Sequence, residues 1–176
     1  HLRLHRPGQR HIVLAPFGKS NLLNVRVHRL GDDPVEVARP CSAAHRWNVT
    51  GGAWRDYQGL PRELDVVVDA MLGTGLERDV RGVFADAITA VNAHAAPCLA
   101  IDLPSGLHAD SGVILGDAVR ATATVTFIGL KQGLFTADGP EFAGDVVFDG
   151  LAVPAAVFAR PVLSARRLDW GKRRAL

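Results

Sequence analysis

Asp65-Val-Val-Val-Asp-Ala-Met-Leu-Gly-Thr-Gly-Leu76 and Cys98-Leu-Ala-Ile-Asp-Leu-Pro-Ser-Gly106 decide how this chain is read. In each, a short apolar run (Leu64–Val68 and Cys98–Ile101) ends in an aspartate and then in a loop of Gly, Thr, Pro or Ser. An apolar run of that length reads as a strand buried on both faces, the signature of a parallel sheet. In open α/β sheets ligands bind beyond the carboxyl ends of the strands. Asp69 and Asp102 are about 30 residues apart, the usual length of a βαβ unit. The two strand ends therefore deliver two carboxylates and two tight loops to one sheet edge.

Working outward, Val83–Ala95 carries Phe84, Ile88, Val91 and Ala95 at helical spacing, with Asp86 near the start where the helix dipole favours a negative charge. Ala121–Ile128 is rich in Thr, Val and Phe and reads as a strand, as do Gly144–Phe148, His11–Ala15 and the alternating Asn24–Leu30. Leu103–Ala118 and Gly129–Gly139 read as loops. Residues 35–62 hold Pro, Gly and Trp without a sustained period, and a short helix over Pro40–Trp47 is the one element suggested there. Strand–helix alternation predicts an α/β fold with a mostly parallel sheet.

The 176 residues suit one domain, and 48% apolar residues supply a core. The net charge of +2 argues for neither a nucleic-acid nor a membrane partner. Basic residues gather at the two ends, including Arg166, Arg167, Lys172, Arg173 and Arg174, and read as solvated termini. Two cysteines, Cys41 and Cys98, with no CxxC, point to a reducing, cytoplasmic compartment. No apolar run is long enough to span a bilayer. The chain opens without Met or a signal sequence and reads as a piece of something longer, with 159–176 as a basic linker or tail.

Each chemical candidate has a plain structural alternative. Gly73-Thr74-Gly75 can cradle an anion with backbone N–H groups, or be only a turn. Asp69 and Asp102 can bind a cation or carry a proton, or merely cap the adjoining loop or helix. Ser105 adds a hydroxyl, and Pro104 stiffens its loop. Lys131 can neutralise phosphate or move a proton, or be a solvated loop lysine. His108 is read as incidental. Gly18-Lys19-Ser20 lacks the earlier glycine and the following helix of a phosphate loop and is set aside.

Taken in order, Asp65–Leu76, Arg81-Gly82, Ala100–Gly112, Ala121–Phe127, Gly129-Leu-Lys-Gln-Gly133 and Gly144–Val147 resemble the YjeF N-terminal domain family, the NAD(P)H-hydrate epimerases. The resemblance implies a Rossmann-like, three-layer α/β/α sandwich over residues 1–158, incomplete at its start. It implies conversion of R to S NAD(P)HX, the hydrated NADH or NADPH, in repair of nicotinamide cofactors. It implies potassium held by Asp69, Ser105 and an Asn of a glycine-rich loop, for which Asn21 is the nearest match. Substrate phosphates would meet Gly73, Thr74, Gly75, Leu76, Glu77 and Arg78. Asp102 would touch the reacting end of the substrate as acid/base, with Lys131 as the second catalytic candidate.

A further implied partner is an ADP- or ATP-dependent NAD(P)HX dehydratase, which succeeds the linker in two-domain bacterial members; a homodimer is left open. The family's first strand leads into Gly-Pro-Gly-Asn-Asn-Gly-Gly-Asp-Gly and a long helix. Here Pro16-Phe-Gly-Lys-Ser-Asn21 leads at once into the next strand, so one sheet face is expected to lose a helical layer. The competing readings are a catalytically impaired domain that binds nucleotide or a partner without turnover, and an unrelated Rossmann-like binder.

Overall fold

The computed structural model describes residues 10–16, 23–29, 55–158 and 164–167. Among these residues seven strands form one sheet in the order β3-β2-β1-β4-β5-β6-β7: β1 Arg10–Pro16, β2 Leu23–Arg29, β3 Arg55–Asp56, β4 Val66–Asp69, β5 Cys98–Ile101, β6 Ala123–Phe127 and β7 Asp145–Asp149. Strands β1, β4, β5, β6 and β7 run parallel, so the expected α/β, Rossmann-like sheet is present. The β1–β2 and β2–β3 pairs are antiparallel. The short link between Pro16 and Leu23 explains the hairpin, because a parallel crossover needs about a dozen residues or more.

Helix α1 spans Val83–Ala93, two residues shorter than its periodicity suggests. His94 leaves helical geometry, its ring accepting the Ala96 N–H (3.0 Å) and lying 3.0 Å from the Pro61 carbonyl. Pro97 comes soon after, and the residue before a proline is driven out of the α region. The buried stripe is Ala87, Ile88 and Val91. Phe84 packs half-buried beside it, and Ala95 is exposed beyond the helix end. One-turn helices α2 (Gly139–Phe142) and α3 (Ala155–Phe158) flank β7, and a 3₁₀ turn occupies Gln132–Phe135 inside the expected loop. The suggested helix over Pro40–Trp47 lies outside the described residues.

The sheet's two faces differ. Val67, Asp69, Cys98, Ala100, Thr124 and Thr126 alternate onto one face of β4–β6, and all are buried. Val67 and Cys98 share a core with Ala87, Ile88 and Val91 of α1 and with Val119. A second cluster, Leu103, Leu107, Ala109, Leu134 and Ala143, packs beside it with Val146. On the opposite face Val66 and Ala123 are buried, while Val68, Leu99, Ile101 and Val125 keep partial exposure. Edge strand β7 leaves Val147 and Phe148 about half exposed, bracketed by Asp145 and Asp149. Further along, the Arg167 guanidinium lies 4.9 Å over the Phe135 ring. Among the described residues, no helix is long and apolar enough to cross a membrane.

Candidate functional site

Strands β4 and β5 end side by side, with Asp69 registered against Ala100. Asp102 comes two residues later, on the same alternation, just past the last residue of β5. The two carboxylates thus share the carboxyl edge of adjacent parallel strands, as their sequence contexts predict. Their surroundings differ sharply.

Asp69 is completely buried. Its Oδ1 accepts the Ser105 hydroxyl proton at 2.5 Å and the Met71 N–H at 3.2 Å, the second closing an Asx turn at the strand end. Its Oδ2 accepts the Ser105 N–H at 2.7 Å. The Ser105 Oγ in turn accepts the Leu72 N–H at 2.9 Å, so one hydroxyl ties the end of β4 to the loop beyond β5. Among the described residues, no Lys, Arg or His forms an ion pair with Asp69. Burial raises its pKa from 3.8 to about 6, even though the Ser105 and Met71 donors pull the other way. Burial, assisted by the Asp69 charge, pushes the neighbouring Cys98 thiol up to about 12, which makes it an inert core group.

Ser105 is held by a tightly packed segment. Gly106 has φ +95, and a Cβ there would sit 1.9 Å from the Asp117 carbonyl. The Ser105 carbonyl accepts the Val119 N–H and the Gly106 carbonyl the Leu115 N–H, each at 2.9 Å. Only glycine lets the two stretches approach so closely.

Asp102 takes the left-handed conformation, φ 71, which asparagine and aspartate tolerate better than other side chains. Its Oδ1 accepts three donors: the Thr126 hydroxyl (3.2 Å), the Phe127 N–H (3.1 Å) and the Lys131 ammonium. The ammonium also donates to the Phe127 carbonyl at 2.9 Å. Ile128, directly after Phe127, has φ 63, an outlier for a β-branched residue, and the turn it begins brings Lys131 back over the strand end. The ion pair is mostly enclosed, with Lys131 17% and Asp102 28% exposed. Lys131 is therefore not a solvated loop lysine.

Gly73-Thr74-Gly75 forms an exposed turn, with the Leu76 N–H donating to the Gly73 carbonyl at 3.2 Å. Neither glycine has positive φ, and neither would crowd a neighbour through a Cβ, so the fold itself does not demand them. The turn does not open a helix. Helix α1 begins at Val83 with Gly82 as its N-cap, so its N-terminus adds nothing to this turn. Glu77 and Arg78 are exposed and Leu76 half-buried. Asn21 lies outside the described residues. His108 pairs locally with Ser111 and remains incidental.

Sequence reasoning missed Thr126 and the backbone N–H groups of Leu72 and Phe127. The available signal was the polar alternation Thr124, Thr126 inside an otherwise apolar strand, which marks hydroxyls on its buried face.

Among the described residues, no group of three His, Cys, Asp or Glu side chains is arranged to hold a metal ion. What stands at Asp69 is an all-oxygen arrangement of carboxylate and hydroxyl whose buried charge has no counter-charge among the described residues, the chemistry suited to a hard, weakly charged cation.

Residues 21–133 match the family model described as YjeF-related protein N-terminus. The chain is 33% identical over 165 residues to the bifunctional NAD(P)H-hydrate repair enzyme Nnr of Coxiella burnetii, covering 90% of this chain and 33% of that protein. It is 34% identical over 149 residues to the enzyme of the same name from Vibrio cholerae, covering 84% of this chain and 30% of that one. It is 51% identical over 82 residues to an NAD(P)H-hydrate epimerase of Limosilactobacillus reuteri, covering 47% of this chain and 39% of that protein. The aligned part of the chain thus spans about a third of the length of these relatives.

Proposed function

We propose, from the premise that this chain belongs to the YjeF-related protein N-terminus family, that it epimerises hydrated NADH or NADPH, converting R to S NAD(P)HX in nicotinamide cofactor repair. The observation that carries this reading is the Asp102–Lys131 pair, enclosed at the carboxyl edge of the sheet with only one carboxylate oxygen committed to donors among the described residues.

The hydrated carbon bears a hydroxyl and is bonded to the ring nitrogen. Asp102 takes the hydroxyl proton as the carbon–nitrogen bond opens. The bonding pair goes to nitrogen, which takes a proton from the Lys131 ammonium. Rotation presents the other face of the resulting carbonyl. Re-closure returns the first proton to oxygen and the second to Lys131, so both groups end as they began. A positioned acid/base contributes about 10²- to 10⁴-fold to such a step.

Gly73, Thr74, Gly75, Leu76, Glu77 and Arg78 are proposed to receive the substrate phosphates. The support is that both glycines stand in open space, where backbone N–H groups can be reached. Asp69 and Ser105, with Asn21 as a third ligand, would hold potassium; the cation would supply the counter-charge that buried Asp69 lacks among the described residues. Residues 1–158 are proposed as the epimerase unit and 159–176 as a linker to an ADP- or ATP-dependent NAD(P)HX dehydratase, in keeping with the names of the bifunctional relatives. A cytoplasmic location is part of the same proposal.

The test supplies purified protein with the R epimer of NADHX and potassium, couples it to an S-specific dehydratase, and monitors NADH by absorbance. The expected result is a rate above spontaneous epimerisation. A background rate from folded protein would overturn the assignment and favour a domain that binds without turnover.

A further inference from the structure

We infer that Thr126 is the positioning residue of the site: its buried hydroxyl anchors Oδ1 of Asp102 so that Oδ2 is the oxygen that handles the proton. The inference rests on the acid/base role proposed for Asp102, but its geometry stands apart from the identity of the substrate.

Thr126 is fully buried on the inner face of β6. A buried hydroxyl requires a partner. Among the described residues, the Thr126 hydroxyl donates to Asp102 Oδ1. The Phe127 N–H and the Lys131 ammonium converge on the same atom. Three donors saturate Oδ1, whereas among the described residues none reaches Oδ2.

The three donors are not equivalent. The Phe127 N–H is fixed by the backbone. Lys131 loses its positive charge whenever it gives up a proton, which weakens its hold on Asp102. Thr126 is the side-chain donor that stays in place through the cycle, on a strand paired on both sides. A carboxylate can rotate about its own side-chain bonds, and Asp102 already sits in a strained backbone conformation. A fixed hydroxyl selects one rotamer of that carboxylate. This is the support that an acid/base group requires to meet its proton within hydrogen-bond reach.

The experiment compares Thr126→Val and Thr126→Ser. The valine keeps the shape and removes the donor, and the serine keeps the donor. With R-NADHX, Thr126→Val is expected to lower kcat about 10- to 100-fold, the worth of one hydrogen bond to a charged group, with KM changed less than about twofold. Thr126→Ser is expected to recover most of kcat. In the Asp102→Asn background, Thr126→Val is expected to add no further loss. The carboxyl carbon resonance of Asp102 in ¹³C-labelled protein reads the same contact without turnover: it moves in Thr126→Val and returns in Thr126→Ser. If Thr126→Val does not fold, Thr126→Cys, a weaker donor of similar volume, takes its place. A wild-type resonance and kcat in the donor-deleted variant would overturn the inference, as would a loss that serine does not restore. If the resonance responds as expected while the wild-type protein turns over no NADHX, the positioning role stands and the epimerase reading falls.

Discussion

Asp69 and Asp102 have the same sequence context, an apolar run leading to aspartate and a small-residue loop, yet they occupy opposite physical states. Asp69 is the last residue of its strand, fully buried and held by local donors without a counter-charge among the described residues. Asp102 is the first residue past its strand, in left-handed conformation, partly open and paired with Lys131. One residue of difference in where the strand stops decides between a carboxylate that is part of the core and one left partly open at the sheet edge. The first is suited to hold a cation, the second to move a proton.

The largest expected effect tests the open carboxylate. Asp102→Asn keeps the side chain's shape and removes its capacity to take a proton. It is expected to lower kcat about 10²- to 10⁴-fold in the coupled NADHX assay while the melting temperature changes little. Full activity in the folded variant would break the division of labour.

The buried carboxylate should answer in stability instead. Asp69→Ala strands the Ser105 hydroxyl and the Ser105 and Met71 N–H groups in the core. Each orphaned group costs about 1–3 kcal/mol before relaxation, so a loss on the order of 3 kcal/mol is expected in urea unfolding. A cost within about 0.5 kcal/mol would mean that Asp69 is not the centre of this network.

A smaller and more diagnostic effect comes from pH. The pKa of folded Asp69 is raised from 3.8 to about 6 by burial, so the folded state holds this proton more tightly than the unfolded chain. Its contribution to stability is full below pH about 3.8 and is lost as pH rises through about 6, a change of at most about 3 kcal/mol. A cation competes with that proton. Potassium at tenfold its dissociation constant should therefore stabilise the fold by about 1.4 kcal/mol at pH 8 and by much less at pH 5. Thermal melts with potassium or tetramethylammonium at both pH values check this. Equal stabilisation at pH 5 and 8 would separate the cation from Asp69.

The sheet was legible because its parallel strands are short apolar runs, two of which end in aspartate and a small-residue loop. Placing those runs side by side put Asp69, Asp102, Ser105 and Lys131 at one edge, while the grouping of Asp69 with Ser105 came from the family resemblance. Three features were not legible. The end of α1 is set by His94 and Pro97 acting on the backbone, which an apolar period cannot register. The partner of Lys131 depends on a left-handed turn at Ile128, a residue no propensity scale would place there. Thr126 reads as an ordinary strand threonine until the register of β5 and β6 brings it beside Asp102. In each case the information lies in contacts between segments distant in sequence.

The smallest expected effect separates the two glycine loops that accompany the two carboxylates. Gly106 is required by packing, since a Cβ would strike the Asp117 carbonyl and the backbone is left-handed. Gly73 meets nothing within 4 Å and has no positive φ. Gly73→Ala should change stability by less than about 0.5 kcal/mol, with a small gain from the stiffer unfolded chain. Gly106→Ala should cost several times more, because the backbone must move to admit the methyl. If the Gly73 turn receives phosphates, the same neutral substitution should raise KM for NADHX several-fold with kcat nearly unchanged, because a Cβ keeps ligand atoms from the backbone N–H groups. An unchanged KM would leave Gly73 as a glycine that neither fold nor ligand requires, and the phosphate site would have to be sought elsewhere on the sheet edge.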